Sequence, residues 1–275
     1  MPITKIVLQL IILVFCTACD KNQSQLDKPN IILIYADDLG IGLLSHEGQQ
    51  IIKTPHIDKL AKEGLRFQNA YSCMLCAPAR ASLLTGLHDC HSEKFEITNA
   101  GIYKKIGKGD YTHREVETMI NERLSAVPEE MVFLGEVAKE AGYITAQFGK
   151  LEWGFASTHK QMKRHGWDYF FGYLDHVRAH GFYPPFLFEN GKLIEISGNT
   201  LANCGKSGEP ETQETYVERW NMTGKKVYSQ NLFMDSVLSF ISTNKDQPFF
   251  LYFPTQLPHG PVSIPTVHSD FVYDE

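Results

Sequence analysis

Short apolar runs alternate along the chain with segments in which apolar residues recur at helical spacing. The apolar runs predict β-strands at residues 31–36, 65–71, 143–148 and 248–253. The periodic segments predict helices at residues 54–63, 78–84, 128–141 and 228–243. Alternation of strands with helices indicates an α/β fold with a mostly parallel central sheet flanked by helices.

Three further segments are assigned from turn residues and polarity. Asn190-Gly191 lies between two apolar segments and predicts a β-hairpin within residues 183–196. Residues 92–127 are polar and predict a surface excursion with one short helix, and residues 199–226 predict a loop.

The composition is that of an ordinary globular protein. The 275 residues include 43% hydrophobic and 21% charged residues, which excludes a disordered or collagen-like chain. The formal net charge of −6 gives no basic footprint, so we expect no nucleic-acid partner.

The first nineteen residues have the pattern of an export signal. Lys5 precedes an apolar run over residues 6–15 that is too short to span a bilayer as a mature helix. Thr17-Ala18-Cys19 resembles the end of a bacterial lipoprotein signal, in which the cysteine is lipidated. Cys16 is a departure from this pattern, because leucine is usual three positions before the lipidated cysteine. An ordinary cleaved signal peptide is the alternative.

Export would place the chain in the bacterial envelope, outer membrane or periplasm. Residues 20–28 are polar and would tether the domain of residues 29–275 to the membrane through the lipid on Cys19. The remaining cysteines, at positions 73, 76, 90 and 204, would lie in a disulfide-permissive compartment. Cys73-x-x-Cys76 could then be a disulfide, a redox pair or half a metal site; no second such pair follows, so a structural zinc site is not expected.

Chemically useful residues follow the predicted strands. Asp37-Asp38 follow the first, Cys76 lies shortly after the second, Lys150 follows the third and His259 follows the fourth. Ligand sites of open α/β sheets lie beyond the carboxyl ends of the strands, so we expect these residues to converge. Adjacent carboxylates favour a hard divalent cation, Ca²⁺ or Mg²⁺, although such a pair also serves as a helix cap and solvated turn.

Cys76 precedes a predicted helix in the segment Cys76-Ala77-Pro78-Ala79-Arg80. The helix dipole and Arg80 would favour negative charge at this point, on the cysteine or on a bound oxyanion. A buried free cysteine, or a disulfide with Cys73, is the other interpretation.

Cys76-x-Pro78-x-Arg80, followed by Ala81-Ser82-Leu83-Leu84-Thr85-Gly86, resembles the signature of type I sulfatases of the alkaline phosphatase superfamily. Ala79 is a mild departure from the usual serine. Further resembling blocks lie at residues 29–40, 54–61, 142–150, 172–184, 228–241 and 248–261.

The resemblance implies sulfate ester hydrolysis. In that family the cysteine, here Cys76, is converted to formylglycine by a formylglycine-generating enzyme, and the hydrated aldehyde attacks sulfur. Asp37, Asp38 and position 76 would hold Ca²⁺, which is favoured over Mg²⁺. The substrate would be a sulfated carbohydrate or an aryl sulfate.

The resemblance also implies roles for four more side chains. Arg80 would hold the nucleophile, Lys150 would bind sulfate oxygens, and His259 would bind sulfate or assist the leaving oxygen. His180 would be either substrate-binding or structural. Lys150 could instead be a solvated lysine, and His259 a packed loop histidine.

The sequence departs from the family pattern in two places. Glu152 stands where many members have a histidine, and no Asp-Asn or Asp-His pair follows His259. Without such a pair, the ligands would be Asp37, Asp38 and position 76, which supply too few oxygens for Ca²⁺. The chain is therefore expected to be the N-terminal part of a longer sulfatase fold, with an inactive sulfatase-like binding module or a phosphate mono- or diester hydrolase as alternatives.

Overall fold

The computed structural model describes residues 28–88, 101–123, 130–151, 156–206 and 212–260. The predictions for the signal segment and tether of residues 1–27, for Cys19, Cys90 and Glu152, and for residues 261–275 lie outside these ranges.

A six-stranded sheet forms the centre of the fold, in the order β1-β6-β2-β3-β4-β5. The first four strands of that order are mutually parallel. Strand β4 pairs antiparallel with β3, and β5 pairs antiparallel with β4. The predicted α/β class and mostly parallel sheet are confirmed. The strands are β1 (Ile31–Tyr35), β2 (Ile144–Gly149), β3 (Tyr169–Gly172), β4 (Phe186–Glu189), β5 (Lys192–Glu195) and β6 (Phe249–Pro254).

Eight α-helices lie in the described ranges, together with short 3-10 turns at Ile41–Leu43, Ser45–Glu47 and Arg178–His180. The helices are α1 (Pro55–Glu63), α2 (Cys76–Thr85), α3 (Lys104–Gly107), α4 (His113–Arg123), α5 (Leu134–Glu140), α6 (His159–Arg164), α7 (Gln213–Trp220) and α8 (Ser229–Asn244). None of the helices in these ranges has the length and apolar character needed to cross a membrane.

Strand β6 divides the core into two layers. All six of its residues are buried, and their side chains alternate between the sheet faces. Phe250 and Tyr252 pack with Trp167 on one face, while Leu251 and Phe253 belong to the cluster on the other. Burial on both faces is expected of a central parallel strand, and it fixes the position of the loop that follows β6.

The predicted hairpin is confirmed. Strands β4 and β5 are joined at Asn190 and Gly191, whose φ angles are 45° and 85°. A two-residue turn with positive φ at both positions matches the twist of paired strands, and Asn-Gly adopts it readily.

The predicted strand at residues 65–71 is wrong. This segment contains no strand, and the side chain of Phe67 is 78% exposed. Its apolar residues are interrupted by Arg66, which pairs with Glu47 at the surface, so the run cannot bury a continuous face. The sheet instead contains β3, which was not predicted although Tyr169-Phe170-Phe171 is a short apolar run.

Two segments predicted as surface loops contribute more structure than expected. Residues 101–123 contain α3 and α4, and Tyr103, Val116 and Ile120 are buried in the main core. The Tyr103 hydroxyl donates a hydrogen bond of 2.7 Å to the Ser157 carbonyl oxygen. Within residues 199–226, α7 interrupts the predicted loop.

The apolar run of β1 is typical of a strand buried on both faces, but β1 is partly exposed. It pairs with β6 on one side and forms an edge of the sheet as described. Ile32 is 48% exposed and Ile34 is 61% exposed. The apolar run therefore predicts the strand correctly but not its position in the sheet.

Gly149 makes the close contact between β2 and β6 at the end of the sheet. Its φ is +104°, and a Cβ atom there would lie 2.7 Å from the Pro254 carbonyl oxygen. That oxygen also accepts the Lys150 backbone N–H at 2.9 Å. A side chain at position 149 would therefore disturb both the strand pairing and the backbone of Lys150.

We expect Gly149→Ala to lower the free energy of unfolding by about 1–3 kcal/mol, because the alanine combines a strained φ with a steric clash. Urea unfolding followed by circular dichroism measures the change. The matched control is Gly48→Ala, where φ is +107° but a Cβ would meet nothing within 4 Å. Equal losses in the two variants would contradict the importance of the Pro254 contact.

Candidate functional site

The residues predicted at the strand ends meet at one edge of the sheet. Asp37 follows β1, Lys150 follows β2, and His259 lies in the loop after β6. Backbone hydrogen bonds hold these ends together: the Asp37 N–H donates to the Leu257 oxygen, and the Lys150 N–H donates to the Pro254 oxygen, both at 2.9 Å. The structure therefore brings the candidate residues together, while their chemical roles stay predictions.

A cluster of three buried charges lies at the centre of this edge. The Lys150 ammonium contacts Asp37 Oδ2, and Arg80 Nη2 lies 3.5 Å from Asp37 Oδ1. Asp37 is 3% exposed, and the side chains of Arg80 and Lys150 are fully buried. Burial lowers the pKa of Lys150, whereas the Asp37 carboxylate opposes that shift by favouring the ammonium.

Arg80 has hydrogen-bonding capacity left over. Its Nη2 donates to the Thr255 carbonyl oxygen at 3.4 Å, and its guanidinium carbon lies 5.2 Å from the centroid of the Tyr35 ring. Nε and Nη1 are buried without a hydrogen-bond partner among the described residues. Unpaired buried donors are costly, so this guanidinium is suited to receive an acceptor from a ligand.

Cys76 is the first residue of α2, so this helix begins two residues before the predicted start at residue 78. The helix follows Leu75 in extended conformation and ends at Gly86, whose φ is +71°. Cys76 Sγ lies 3.0 Å from His176 Nε2. Position 76 therefore lies at a positive helix end, against a histidine that follows β3.

Cys73 and Cys76 are free thiols with different neighbours. Cys73 Sγ lies 2.9 Å from Ser82 Oγ, whereas Cys76 faces His176. The structure therefore shows no disulfide between them, and the redox-pair and metal-site interpretations stay predictions.

Three histidines line one side of the site. The rings of His176 and His180 are 5.7 Å apart edge to face, and those of His180 and His259 are stacked at 4.3 Å. His259 Nε2 lies 3.4 Å from Asp38 Oδ2. The sequence-predicted His180 and His259 are therefore adjacent to each other, and His176 joins them to Cys76.

Burial and neighbouring positive charge keep two of these rings neutral. Burial, reinforced by Lys150 and Arg80, holds the pKa of His176 well below its usual range. Burial, together with Lys150 and His259, lowers the pKa of His180 to about 2. Neutral imidazoles can accept a proton or bind a metal.

Gln256 connects the loop of His180 with the loop of His259. Its amide nitrogen donates to the carbonyl oxygens of Ala179 and, at 2.9 Å, of Gly181. Its amide oxygen accepts from Ser229 Oγ at 2.8 Å and from Gln230 Nε2 at 2.6 Å. Because the amide is buried and its oxygen and nitrogen are both bonded, it fixes the relative position of the histidine-bearing loops.

His176, Thr255 and Gln256 were not among the predicted site residues. His176 follows β3, so recognition of the strand at Tyr169–Gly172 would have placed it with the other strand-end residues. Thr255 takes part through its backbone oxygen, and Gln256 acts through contacts distant in sequence. Neither leaves a residue-type signal in the sequence.

The donor set at Asp37 and Asp38 has the chemistry of a hard-cation site. Carboxylate oxygens are the ligands that Ca²⁺ and Mg²⁺ prefer, and the two residues are adjacent at the end of β1. Asp37 is engaged by Lys150 and Arg80, and Asp38 by His259. These residues fit one part of a calcium shell, which takes six to eight oxygens.

Residues 29–273 match the family model named Sulfatase. The chain is 30% identical to human N-acetylgalactosamine-6-sulfatase, over 85% of this chain and 40% of the relative. It is also 30% identical to the N-acetylgalactosamine-6-O-sulfatase of Bacteroides thetaiotaomicron, over 87% of this chain and 50% of the relative. The chain thus spans half or less of the length of these relatives.

Comparison with solved structures also finds sulfatase-like neighbours of this fold. One, described in the context of the metabolism of multiple glycosaminoglycans by Bacteroides thetaiotaomicron, aligns with a TM-score of 0.59 and 27% identity over 86% of this chain and 52% of that one. The protein Ps i-CgsB, solved in complex with k-i-k-neocarrahexaose, aligns with a TM-score of 0.59 and 26% identity over 86% of this chain and 46% of that one. Members of the matched family generally use a formylglycine and a divalent metal.

The lowered pKa of His180 predicts a pH-dependent stability. Below the ordinary histidine pKa of about 6.5, the imidazole of His180 binds a proton in the unfolded chain but not in the folded chain. The free energy of unfolding therefore falls as pH falls. Between pH 8 and pH 5 we expect His180 to account for a loss of up to about 2 kcal/mol in the free energy of unfolding. Urea unfolding across this pH range should show a smaller fall in the free energy of unfolding for His180→Gln than for the unaltered chain.

Val177→Ala is the control for this prediction, because it alters the same loop without changing a titratable group. It should lower stability alike at every pH. A His180→Gln protein with the pH dependence of the unaltered chain would contradict the assignment.

Proposed function

This chain belongs to the sulfatase family, and we propose that it carries the nucleophile and the anion-binding groups of an enzyme that hydrolyses sulfate esters. The aligned segments make up 40% and 50% of the two matched relatives. The proposal therefore concerns the half of the catalytic centre that lies at the carboxyl ends of β1, β2, β3 and β6.

The observation that carries the proposal is the buried pair of cations beside a single buried carboxylate. Arg80 and Lys150 both contact Asp37, and one carboxylate balances only one of their charges. Arg80 also has two buried guanidinium nitrogens, Nε and Nη1, without a hydrogen-bond partner among the described residues. A sulfate ester supplies a negative charge and oxygen acceptors, so it would complete both the charge balance and the hydrogen bonding.

The surroundings of position 76 support a role as the nucleophile. It is at the N-terminus of α2, where the helix dipole favours an oxyanion, and it faces His176. Formylglycine at this position, made from Cys76 by a formylglycine-generating enzyme, would supply the hydroxyl that attacks sulfur. His176, as a neutral imidazole, would orient that hydroxyl and hold its proton at Nε2.

The other side chains would act on the sulfate and on the leaving group. Lys150 and Arg80 would bind the sulfate oxygens and stabilise the charge that develops on them. His259 would lie near the leaving oxygen and His180 beside it, since their rings are stacked. His180 would thereby hold the ring of His259 in one orientation and line the substrate side.

Asp37 and Asp38 would hold the divalent metal, Ca²⁺ rather than Mg²⁺, with position 76 as a further ligand. The metal would supply Lewis-acid polarisation of a sulfate oxygen. Its remaining oxygen ligands would come from the substrate, from water or from residues outside the described ranges. Asp37 would then exchange part of its contact with Lys150 for the metal, freeing the ammonium for sulfate.

The names of the relatives support a substrate class. Two of them are named for N-acetylgalactosamine 6-sulfate, and a structural neighbour was solved with a neocarrahexaose. A sulfated carbohydrate is therefore the substrate we propose, with an aryl sulfate as the simpler alternative. The signal-like segment and Cys19 support a lipid-anchored protein of the bacterial envelope.

The decisive experiment starts with the full chain co-expressed with a formylglycine-generating enzyme. Mass spectrometry of the peptide around position 76 should show loss of the thiol sulfur. The converted chain, supplied with Ca²⁺, should release sulfate from 6-sulfated N-acetylgalactosamine or from a chromogenic aryl sulfate. Cys76→Ala should abolish release, whereas Cys73→Ala, which alters the thiol beside Ser82, should retain it.

The opposite results identify the alternatives. An unconverted thiol together with phosphate release from phosphate esters would favour the phosphate hydrolase. Conversion without sulfate release would favour the inactive sulfatase-like module.

Arg80→Lys tests the anion site separately from the nucleophile. Lysine retains a positive charge but loses the planar fork of N–H donors, so we expect kcat/KM for the sulfate ester to fall by about 10²–10³. Arg66→Lys is the matched control, because Arg66 pairs with Glu47 at the surface. Similar rates for Arg80→Lys and the unaltered chain would exclude Arg80 from sulfate binding.

A further inference from the structure

Cys76, His176 and His180 form a second cluster of ligand atoms, which shares position 76 with the proposed Asp37 and Asp38 metal site but takes its other ligands from histidines. One ligand atom from each of the three residues lies within 4.8 Å of the other two. Cys76 comes from the start of α2, and the histidines come from the segment after β3. Two parts of the chain distant in sequence therefore place a thiol and two imidazoles around one point.

The chemistry of these ligands differs from that of the carboxylate pair. A thiolate with two imidazoles is a borderline-soft set that selects zinc and similar transition metals, whereas carboxylates select Ca²⁺ and Mg²⁺. Tetrahedral zinc with ordinary bond lengths requires its sulfur and nitrogen ligands to lie about 3.3–3.6 Å apart. The distance of 3.0 Å between Cys76 Sγ and His176 Nε2 is close to this range. The other pairs of ligand atoms in the cluster lie within 4.8 Å, and side-chain rotation can bring them to the required distance.

His180 supplies an independent indication of a ligand site. Its Nε2 is buried and has no hydrogen-bond partner among the described residues. The ring is held by stacking on His259 at 4.3 Å. A buried nitrogen without a hydrogen bond is costly, and a coordinated cation would satisfy it.

We propose that the chain with an unmodified Cys76 binds one zinc ion through Cys76 Sγ, His176 and His180, with a water molecule as the fourth ligand. Binding releases the thiol proton to solvent, because the thiolate is the ligand, and both imidazoles coordinate in the neutral form. No electron transfer is involved. Zinc at this point covers the thiol against alkylation.

Conversion of Cys76 to formylglycine removes the sulfur ligand, so the zinc site belongs to the unconverted chain. The positive charges of Arg80 and Lys150 oppose a cation nearby, and the thiolate offsets part of this repulsion. Zinc binding therefore does not depend on sulfatase activity, and either proposal can fail while the other holds.

Cobalt is the probe for the first test, because a thiolate bound to Co²⁺ gives a charge-transfer absorption in the near ultraviolet. The full chain is produced without a formylglycine-generating enzyme, stripped with a chelator and titrated with Co²⁺. We expect the absorption in the unaltered chain and in Cys73→Ser, and its loss in Cys76→Ser. Its persistence in Cys76→Ser, or its absence from the unaltered chain, would overturn the proposal.

Zinc affinity tests the two histidines. Isothermal titration calorimetry with Zn²⁺ should show one ion bound per chain. His176→Gln and His180→Gln should each weaken zinc affinity by at least roughly 10–100-fold, which is the loss caused by removing a residue that only hydrogen-bonds to a ligand. Circular dichroism establishes that each variant is folded. Unchanged affinity in both folded histidine variants would contradict the proposed ligand set.

A third measurement uses the converted chain. Its zinc affinity should fall to that of Cys76→Ser, because both lack the sulfur. Equal affinity in converted and unconverted chains would assign the zinc to other ligands and overturn the proposal.

Discussion

The contact of the Asp37 carboxylate with Lys150 and Arg80 is the interaction on which this site depends. Removing each of these charges from water costs several kcal/mol, and their mutual attraction offsets the cost only when the geometry is held closely. Here β1, β2 and α2 each deliver one partner, and the backbone hydrogen bonds from Asp37 to Leu257 and from Lys150 to Pro254 fix two of them. The fully buried β6 lies between β1 and β2 and keeps their ends in register.

Position 76 is the point where two kinds of chemistry meet. On one side it faces the cationic cluster, which suits an oxyanion, and on the other it faces neutral histidines, which suit a proton or a metal. The side chain at this position decides between them. A thiol completes a nitrogen and sulfur ligand set, whereas an aldehyde-derived hydroxyl would complete a sulfate-binding centre.

The sequence predicts the parts of this structure that depend on local pattern. The apolar runs of β1, β2 and β6 and most of α2 are recognisable because their bounds carry Pro, Gly or Asp. Residues 65–71 mislead because apolar composition without a continuous buried face does not make a strand. Burial of Tyr103 and the four-partner role of Gln256 depend on contacts between distant segments, which no local pattern contains. The same holds for His176, whose importance depends on the register of β3 beside β2.

The exposed isoleucines of β1 affect how the polypeptide behaves in solution. Within the described ranges β1 is an edge strand, and an edge strand with apolar side chains is a template on which another strand can add. Ile32 and Ile34 face solvent on this strand, and Asp37 lies only two residues beyond its end. Any strand that adds to this edge would border Asp37 and Asp38 directly, so assembly at the edge and the geometry of this carboxylate pair are physically coupled.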